Sequence, residues 1–132
     1  VAVRDFSQEE HALAQSSPRI QSFYDAEIAR RTFDGEPFSK IANDVAASLP
    51  ERVYVSFDID GLDPSLCPNT GTPVPGGLGF REACAVISAV VRSGRKIVGF
   101  DLNEVAGEGE WDAIVGARML YKLIGYALSS GA

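Results

Sequence analysis

The chain has 132 residues, of which 45% are hydrophobic and 23% charged, a composition typical of one folded domain. Its net charge of -6 and its lack of any Lys/Arg cluster argue against the basic face that non-specific nucleic-acid binding requires. No apolar run approaches the roughly 20 residues of a membrane span, so we expect neither a nucleic-acid nor a membrane partner.

The N-terminal third predicts two short strands with a helix between them. Residues 1–6 and 20–24 have the β-branched and aromatic content of strands. Ser7 is a suitable N-cap for a helix over residues 8–14, with a glutamate three positions later that completes a capping-box pattern. Residues 25–33 fit a helix or a loop equally well.

The rest of the chain alternates helices and strands. Apolar residues spaced by three or four predict a helix over residues 38–49, and the apolar segment 53–59 predicts a strand covered on both faces. A long loop over residues 60–79 leads to a helix over 80–93 and a second apolar strand over 96–102.

A Gly-rich loop over residues 103–110 precedes a final helix over 111–128. We expect one side of this helix to be apolar and Trp111, with the other aromatic residues, to lie in the core. The apolar side is predicted to comprise Ile114, Ala117, Leu120, Leu123 and Ile124. Helices alternating with strands predict an α/β fold with a parallel sheet, in which ligands bind beyond the carboxyl ends of the strands.

Two acidic residues, Asp58 and Asp60, follow the first apolar strand at its carboxyl end. Side chains two apart on an extended strand point to the same face, about 6–7 Å apart. Such a pair of carboxylates can chelate a hard cation such as Mg²⁺, Mn²⁺ or Ca²⁺. The alternative is a solvated strand end where one aspartate accepts hydrogen bonds in a turn, which by itself explains Asp63 before Pro64.

Glu104 ends the other apolar strand and could hold a guanidinium through a bidentate fork, or it could be a solvated loop acid. Asp101 has the opposite side-chain parity, so the two are not expected to act as a pair. Thr70 and Thr72 lie in a loop stiffened by Pro and Gly, which either positions their hydroxyl groups or is only a structural turn.

The remaining reactive side chains give little indication of a functional site. The single histidine, His11, lies in a polar helix far along the chain from the acids, and we expect it at the surface. Cys67 and Cys84 form no CxxC motif and are predicted to be free thiols of a cytoplasmic protein, since a bridge between them would need an oxidising compartment.

Four segments together resemble the C-terminal half of the ureohydrolase family, which contains arginase, agmatinase and formiminoglutamase. They are SFDIDGLDP, TGTPVPGGL, GFDLNEV and EWDAIVGARMLYKL, and they are most similar to bacterial agmatinase-family proteins. The resemblance covers residues 1–132 as one part of a single domain without an internal linker.

The resemblance implies a three-layer α/β fold, with helices on both faces of a parallel sheet, and a centre of two Mn²⁺ ions that hydrolyses a guanidino or amidino C–N bond. Carried over by position, Asp58 would bind both metal ions and Asp60 one of them. Glu104 would hold the guanidinium of the substrate and Thr72 would lie near it. Asp63 would shape the loop. A small-molecule guanidino substrate and a homo-oligomer of the complete protein are further implications.

The chain also departs from the family pattern. The family's metal-binding histidines, in a GGDH-like motif and a DAHxD cluster, have no counterpart here, and His11 matches neither them nor the proton-shuttling histidine. Ile114 stands where relatives often have a polar residue. We therefore expect a fragment that lacks the N-terminal half of the domain and is inactive or nearly so by itself.

Three other interpretations remain. A haloacid-dehalogenase-type phosphatase uses a strand-end DxDG, but Leu62 stands where that family has Thr or Ser. A non-catalytic ureohydrolase relative would have no reason to keep paired acids at 58 and 60. Single-zinc deacetylases of the wider fold use an Asp-His-Asp set that this pattern does not match. The choice among arginine, agmatine, guanidinobutyrate and formiminoglutamate is open.

Overall fold

The structure, a computed structural model, describes residues 1–105 and 110–131. Five α-helices and two β-strands follow one another along this part of the chain. They are α1 (Gln8–Ser16), α2 (Asp25–Phe33), α3 (Phe38–Ala47), β1 (Arg52–Asp58), α4 (Phe80–Arg92), β2 (Lys96–Asn103) and α5 (Glu110–Ser130), with one 3-10 turn, Ile59–Gly61, directly after β1. None of the described helices is long and apolar enough to cross a membrane.

Strands β1 and β2 pair in parallel, from Arg52 opposite Lys96 to Asp58 opposite Asn103. Parallel neighbours need a crossover connection, which α4 supplies between them. Helix α3 packs on α4, and α5 packs on β2. The α/β class predicted from the alternating pattern is therefore confirmed, with the carboxyl ends of both strands at one edge.

The core lies between this sheet and the helices. Among the described helices, only α1 has no buried residue. The larger buried apolar side chains are Ile28, Ile41, Val45, Val53, Ile59, Leu62, Leu78, Ile87, Val90, Ile97, Val115, Met119 and Leu123. The opposite face of β1, which bears Tyr54, Ser56 and Asp58, is exposed, so the prediction of a strand covered on both faces is wrong for the described residues, whose helices leave this face uncovered.

The two strands predicted in the N-terminal third are wrong in extent. Residues 1–6 and 20–24 meet at a single parallel bridge between Val3 and Tyr24. A strand needs a continuous ladder of partners, and Ala2, at a φ of 58°, interrupts the extended path. The capping box before α1 is confirmed, because Ser7 exchanges hydrogen bonds with the third residue of the helix. Residues 25–33, which the pattern left open, form α2.

Helix α5 is rotated relative to the predicted apolar side. Ile114 and Leu120 are exposed, whereas Met119 is fully buried. The orientation follows from Gly116, because a Cβ there would lie 2.9 Å from the methyl groups of Val105. Because Gly116 has no side chain, Val105, which follows β2, packs against this face of α5. That contact determines which face of α5 is buried.

The prediction that the aromatic side chains belong to the core is also wrong in part. Phe33 is 87% exposed and Trp111 50% exposed. The indole Nε1–H of Trp111 donates to the carbonyl of Ser65 at 3.1 Å, so this ring joins α5 to the long loop rather than filling the interior.

Candidate metal and substrate site

Asp58 and Asp60 lie side by side at the carboxyl end of β1, but they do not share an extended strand. Strand β1 ends at Asp58, and the 3-10 turn then carries Asp60. The amide of Asp60 donates to Asp58 Oδ1 at 3.0 Å. The prediction of two carboxylates spaced along a strand is thus wrong in its geometry. The turn, and not the strand period, brings the two side chains together.

Thr72 joins the long loop to this turn. Its hydroxyl group donates to Asp60 Oδ2 at 2.5 Å. Oδ2 of Asp58 and Oδ1 of Asp60 accept no hydrogen bond from the described residues. Each carboxylate is therefore held through one oxygen and keeps the other free to bind a cation or a donor.

Glu104 lies directly after β2, in a backbone conformation that non-glycine residues adopt rarely, at a φ of 61°. Its side chain is exposed. Its carboxylate rests against the backbone of Gly71, since a Cβ at that glycine would be 2.8 Å from Glu104 Oε2. Gly71 therefore lets the Glu104 carboxylate approach the loop next to Thr72.

Thr70 fixes the backbone that carries Glu104. Its side chain is only 5% exposed, and its hydroxyl group donates to the carbonyl of Glu104 at 3.1 Å. Residues 70–72 thus contact both strand ends, at Asp60 on one side and at Glu104 on the other. The loop is thus a structural turn that also fixes the hydroxyl groups of Thr70 and Thr72, so the two alternatives do not exclude each other.

The same loop is anchored to α5 by Asp112, which is fully buried. Its two carboxylate oxygens accept from the backbone amide and the side-chain amide of Asn69, at 2.9 Å and 3.0 Å. Buried carboxylates need such donors to offset lost hydration. The sequence reasoning missed both residues. The sequence offered no clear signal, because an acid in the first turn of a helix is favourable at an exposed position as well.

Charge accumulates where the strands end. Asp58 has a raised pKa, first because it loses part of its hydration and further because the carboxylates of Asp60 and Glu104 lie nearby. Ionising all three side chains at once is unfavourable without a counter-charge. A bound cation would supply that charge.

Asp63 belongs to the turn and not to this cluster. Its Oδ1 accepts the amide of Ser65 at 2.8 Å, and this hydrogen bonding lowers the pKa of Asp63. Its own amide donates to the carbonyl of Leu78 at 2.9 Å, which closes the long loop. The arrangement agrees with the loop-shaping role predicted for it.

Arg4 was missed by the sequence reasoning and lies against the turn after β1. Its guanidinium donates to the carbonyls of Asp60, Gly61 and Leu62, the last two at 3.3 Å and 3.4 Å. A lone arginine inside the apolar N-terminal segment was the available signal, because a buried cation requires several acceptors.

A cleft of about 530 Å³ opens beside the two aspartates. Its walls include the consecutive residues 1–5 and 55–58, and side chains of α4 also line it. Asp58, Asp60 and Thr72 lie along its polar part. Consecutive residues of β1 point to both faces of the sheet, so the cleft borders the edge of the strand.

The donors at this edge fit a hard divalent cation in kind, because carboxylate oxygens suit Mn²⁺ and Mg²⁺. They are few: among the described residues, no group of three or more His, Cys, Asp or Glu side chains could hold a metal ion. His11 is elsewhere, with its Nδ1 3.1 Å from the hydroxyl oxygen of Tyr24. Cys67 and Cys84 are free thiols, as predicted.

Comparison with known proteins identifies the family of the chain. The family model described as "Arginase family" matches residues 1–125. The chain is 45% identical over 84 residues to an agmatinase of Pyrococcus horikoshii, an alignment that covers 62% of the chain and 29% of that protein. It is 40% identical over 84 residues to the N(1)-aminopropylagmatine ureohydrolase of Thermus thermophilus, over 63% of the chain and 28% of that protein.

The solved structure of proclavaminate amidino hydrolase from Streptomyces clavuligerus superimposes with a TM-score of 0.79 at 26% sequence identity, covering 98% of this chain and 42% of that one. The chain thus spans less than half the length of these relatives. Residues 1–125 include both strand ends, the loop between them and most of α5, and we conclude that the chain belongs to the arginase family.

Proposed function

We propose that this chain is the C-terminal portion of a manganese-dependent ureohydrolase that cleaves a guanidino or amidino C–N bond and releases urea. Family membership supports hydrolysis of this type. The observation that carries the proposal is the loop over residues 70–72, which links Asp60 and Glu104 and so joins a cation-binding strand end to a guanidinium-binding one.

Asp58 and Asp60 would hold the metal ions. Each presents one carboxylate oxygen that the described residues leave unoccupied. The pKa of Asp58 is raised first by lost hydration and further by the neighbouring carboxylates of Asp60 and Glu104, whose charge a cation would offset. The chemistry supplied by Mn²⁺ at these residues would be a bound water molecule of lowered pKa, and hence hydroxide near neutral pH.

Glu104 would accept hydrogen bonds from the guanidinium of the substrate. The planar guanidinium presents paired N–H donors that match the two oxygens of one carboxylate. The side chain of Glu104 is exposed and approaches the loop at Gly71, which leaves its carboxylate accessible. The hydroxyl group of Thr72 would hold the Asp60 carboxylate in place beside the substrate.

The 132 residues supply only part of this site. Two carboxylates bind Mn²⁺ weakly, because affinity depends on the number and geometry of the ligands. The missing ligands would come from polypeptide outside these residues. We therefore expect the isolated chain to show little or no turnover, and we propose a homo-oligomeric, cytoplasmic complete protein. The relatives' names make agmatine the first substrate to test.

A chimera tests the proposal directly. The matching segment of the Thermus thermophilus relative is replaced by this chain, and urea release from agmatine and arginine is measured with added Mn²⁺. We expect a folded chimera that produces urea, and a loss of activity with Asp58→Asn or Asp60→Asn. The control is Asp63→Asn, which retains an acceptor oxygen for Ser65 and should retain activity. A folded, Mn²⁺-loaded chimera that produces no urea from any guanidino compound contradicts the proposal.

Robust urea production by the isolated chain would contradict the expected incompleteness of the site. Phosphatase activity is assayed in parallel, because a strand-end DxDG also occurs in enzymes of that type. Hydrolysis of a phosphate ester that depends on Asp58 would favour the phosphatase, although the family match argues against it.

A further inference from the structure

Arg4 makes an unusual set of contacts for an arginine beside an acidic cluster. Its Nη1 donates to the carbonyls of Ala2 and Gly61, both at 3.3 Å, and its Nη2 donates to the carbonyls of Asp60 and Leu62. Three of these acceptors are consecutive residues of the turn that carries the second aspartate. One side chain therefore holds the backbone of the whole turn from a point 56 to 58 positions earlier in the chain.

Arg4 does not form an ion pair with any carboxylate in the part of the chain that the structure describes. This is notable because Asp58, Asp60 and Asp63 all lie at the same edge. A guanidinium bound to their carboxylates would occupy the oxygens that a metal ion needs. By binding carbonyl groups instead, Arg4 supports the turn and leaves those oxygens free.

The space for this guanidinium is provided by a glycine of the long loop. A Cβ at Gly77 would lie 2.6 Å from Arg4 Nη1 and 2.7 Å from the carbonyl oxygen of Leu62, and the φ of 94° at this glycine also disfavours any side chain. Gly77 donates its amide to Asp25 Oδ1 at 3.0 Å, so the loop is fixed where it covers Arg4.

The placement of Arg4 carries a cost. Its Nε is buried and has no hydrogen-bond partner among the described residues. Leaving a buried donor unpaired is destabilising, because its lost hydration is not replaced. The four hydrogen bonds of the terminal nitrogens to carbonyl groups must offset this cost. The position of the Arg4 guanidinium is therefore determined by its contacts with the turn and not by a hydrogen bond of Nε.

We propose that Arg4 is a positioning residue for the metal site: its guanidinium holds the carbonyls of residues 60–62 so that the Asp58 and Asp60 carboxylates face a common divalent cation. This inference rests on the proposed function for the identity of the cation. All the hydrogen bonds of Arg4 among the described residues go to backbone carbonyls, so Arg4 would act through the backbone of the turn and not as a metal ligand.

The test compares Arg4→Lys with the unmodified chain. Lysine retains the charge but not the planar fork, so it cannot hold three consecutive carbonyls. Arg19→Lys is the matched control, because Arg19 is exposed and its side chain makes no hydrogen bond among the described residues. Mn²⁺ binding is followed through the electron paramagnetic resonance signal of the free ion, and amide hydrogen exchange is followed at Leu62 and Asp63.

We expect Arg4→Lys to weaken Mn²⁺ binding about tenfold, the usual effect of removing a group that orients metal ligands. The amides of Leu62 and Asp63, which donate to Ile59 and Leu78, should exchange about tenfold faster while the buried amides of α3 are unchanged. Arg19→Lys should change neither quantity. Arg4→Gln, which can still donate to one carbonyl, replaces Arg4→Lys if the latter does not fold.

The two proposals fail differently. Absence of urea production by the folded, Mn²⁺-loaded chimera would count against the proposed function, and amide exchange would still decide whether Arg4 holds the turn. If Asp58→Asn weakens Mn²⁺ binding while Arg4→Lys leaves it within about twofold, the positioning role of Arg4 is refuted. Unchanged exchange at Leu62 and Asp63 would refute it as well.

Discussion

The two strand ends hold their carboxylates in opposite ways. At the end of β1, Asp58 and Asp60 are fixed by side-chain hydrogen bonds and by a turn that Arg4 holds through three carbonyls. At the end of β2, the backbone of Glu104 is fixed by Thr70, but its exposed carboxylate, which lies near Gly71, accepts no hydrogen bond from the described residues. A fixed pair of carboxylates suits a metal ion that demands defined geometry. An exposed carboxylate with both oxygens accessible suits the paired N–H donors of a guanidinium.

The largest expected effect is a difference in stability between alanine variants of the two glycines that lie beside these strand ends, Gly77 and Gly71. Gly77→Ala should lower the free energy of unfolding by about 2–3 kcal/mol, because a Cβ there would meet the Leu62 carbonyl and would need a positive φ. Gly71→Ala should cost less than about 0.5 kcal/mol, because it meets only the far end of the Glu104 side chain. Urea unfolding of both variants measures the difference.

Equal losses of unfolding free energy in Gly77→Ala and Gly71→Ala would contradict the difference between the ends of β1 and β2, because they would show that the two ends are held equally tightly. Gly35→Ala is a useful reference for backbone strain without steric contact, since Gly35 has a positive φ of 88° and a Cβ there would meet no atom within 4 Å. Its loss should fall between those of the other two variants.

Thr70→Val should have an intermediate effect, about 1 kcal/mol of unfolding free energy, because it removes a nearly buried hydrogen bond to the Glu104 carbonyl without changing the size of the side chain. The change should also speed amide exchange at the end of β2 and leave the end of β1 unaltered. Thr32→Val on α2 is the control, since Thr32 is exposed and bonds only within its own helix. Faster exchange at Asp60 would show that the two ends are coupled.

The smallest effect concerns the exposed face of the sheet. The carboxylate of Asp101 accepts from Ser56 at 2.7 Å and from Tyr54 at 3.1 Å, and these bonds, with that of Asn103, lower the pKa of Asp101 below its usual value. The folded state therefore favours the ionised form. The contribution of the Asp101 carboxylate to stability is fully present above about pH 4 and is lost as the pH falls through the lowered pKa.

Unfolding of the unmodified chain and of Asp101→Asn, followed from neutral pH to about pH 3, checks this sign. The variant should be slightly less stable at neutral pH, and the gap should shrink on acidification. Glu51→Gln, at an exposed position next to β1, serves as the charge control. A gap that widens as the pH falls would contradict the cause assigned to the lowered pKa.

Much of the fold and the identity of the acids could be predicted from the sequence, because local patterns determine them. The helices over α3 and α4, both strands and the capping box at Ser7 depend on apolar spacing and on short-range hydrogen bonds. Aspartates directly after an apolar strand predicted a site at the carboxyl edge of the sheet, where the structure places Asp58 and Asp60.

What the sequence could not predict depends on contacts between distant residues. The 3-10 turn that brings Asp60 beside Asp58 is contacted by Arg4, and the buried carboxylate of Asp112 is paired with Asn69. The rotation of α5 follows from the close packing of Gly116 on Val105. Each of these requires knowing which segments meet, and helical or strand periodicity alone carries no such information.

The most direct test of the central idea, that the two aspartates together bind a divalent cation, is a Mn²⁺ titration of four proteins. These are the unmodified chain, Asp58→Asn, Asp60→Asn and Asp63→Asn. We predict weak binding by the unmodified chain, a loss of about tenfold or more in affinity for each of the first two variants, and a change within about twofold for Asp63→Asn. Equal affinities in all four proteins would contradict the account.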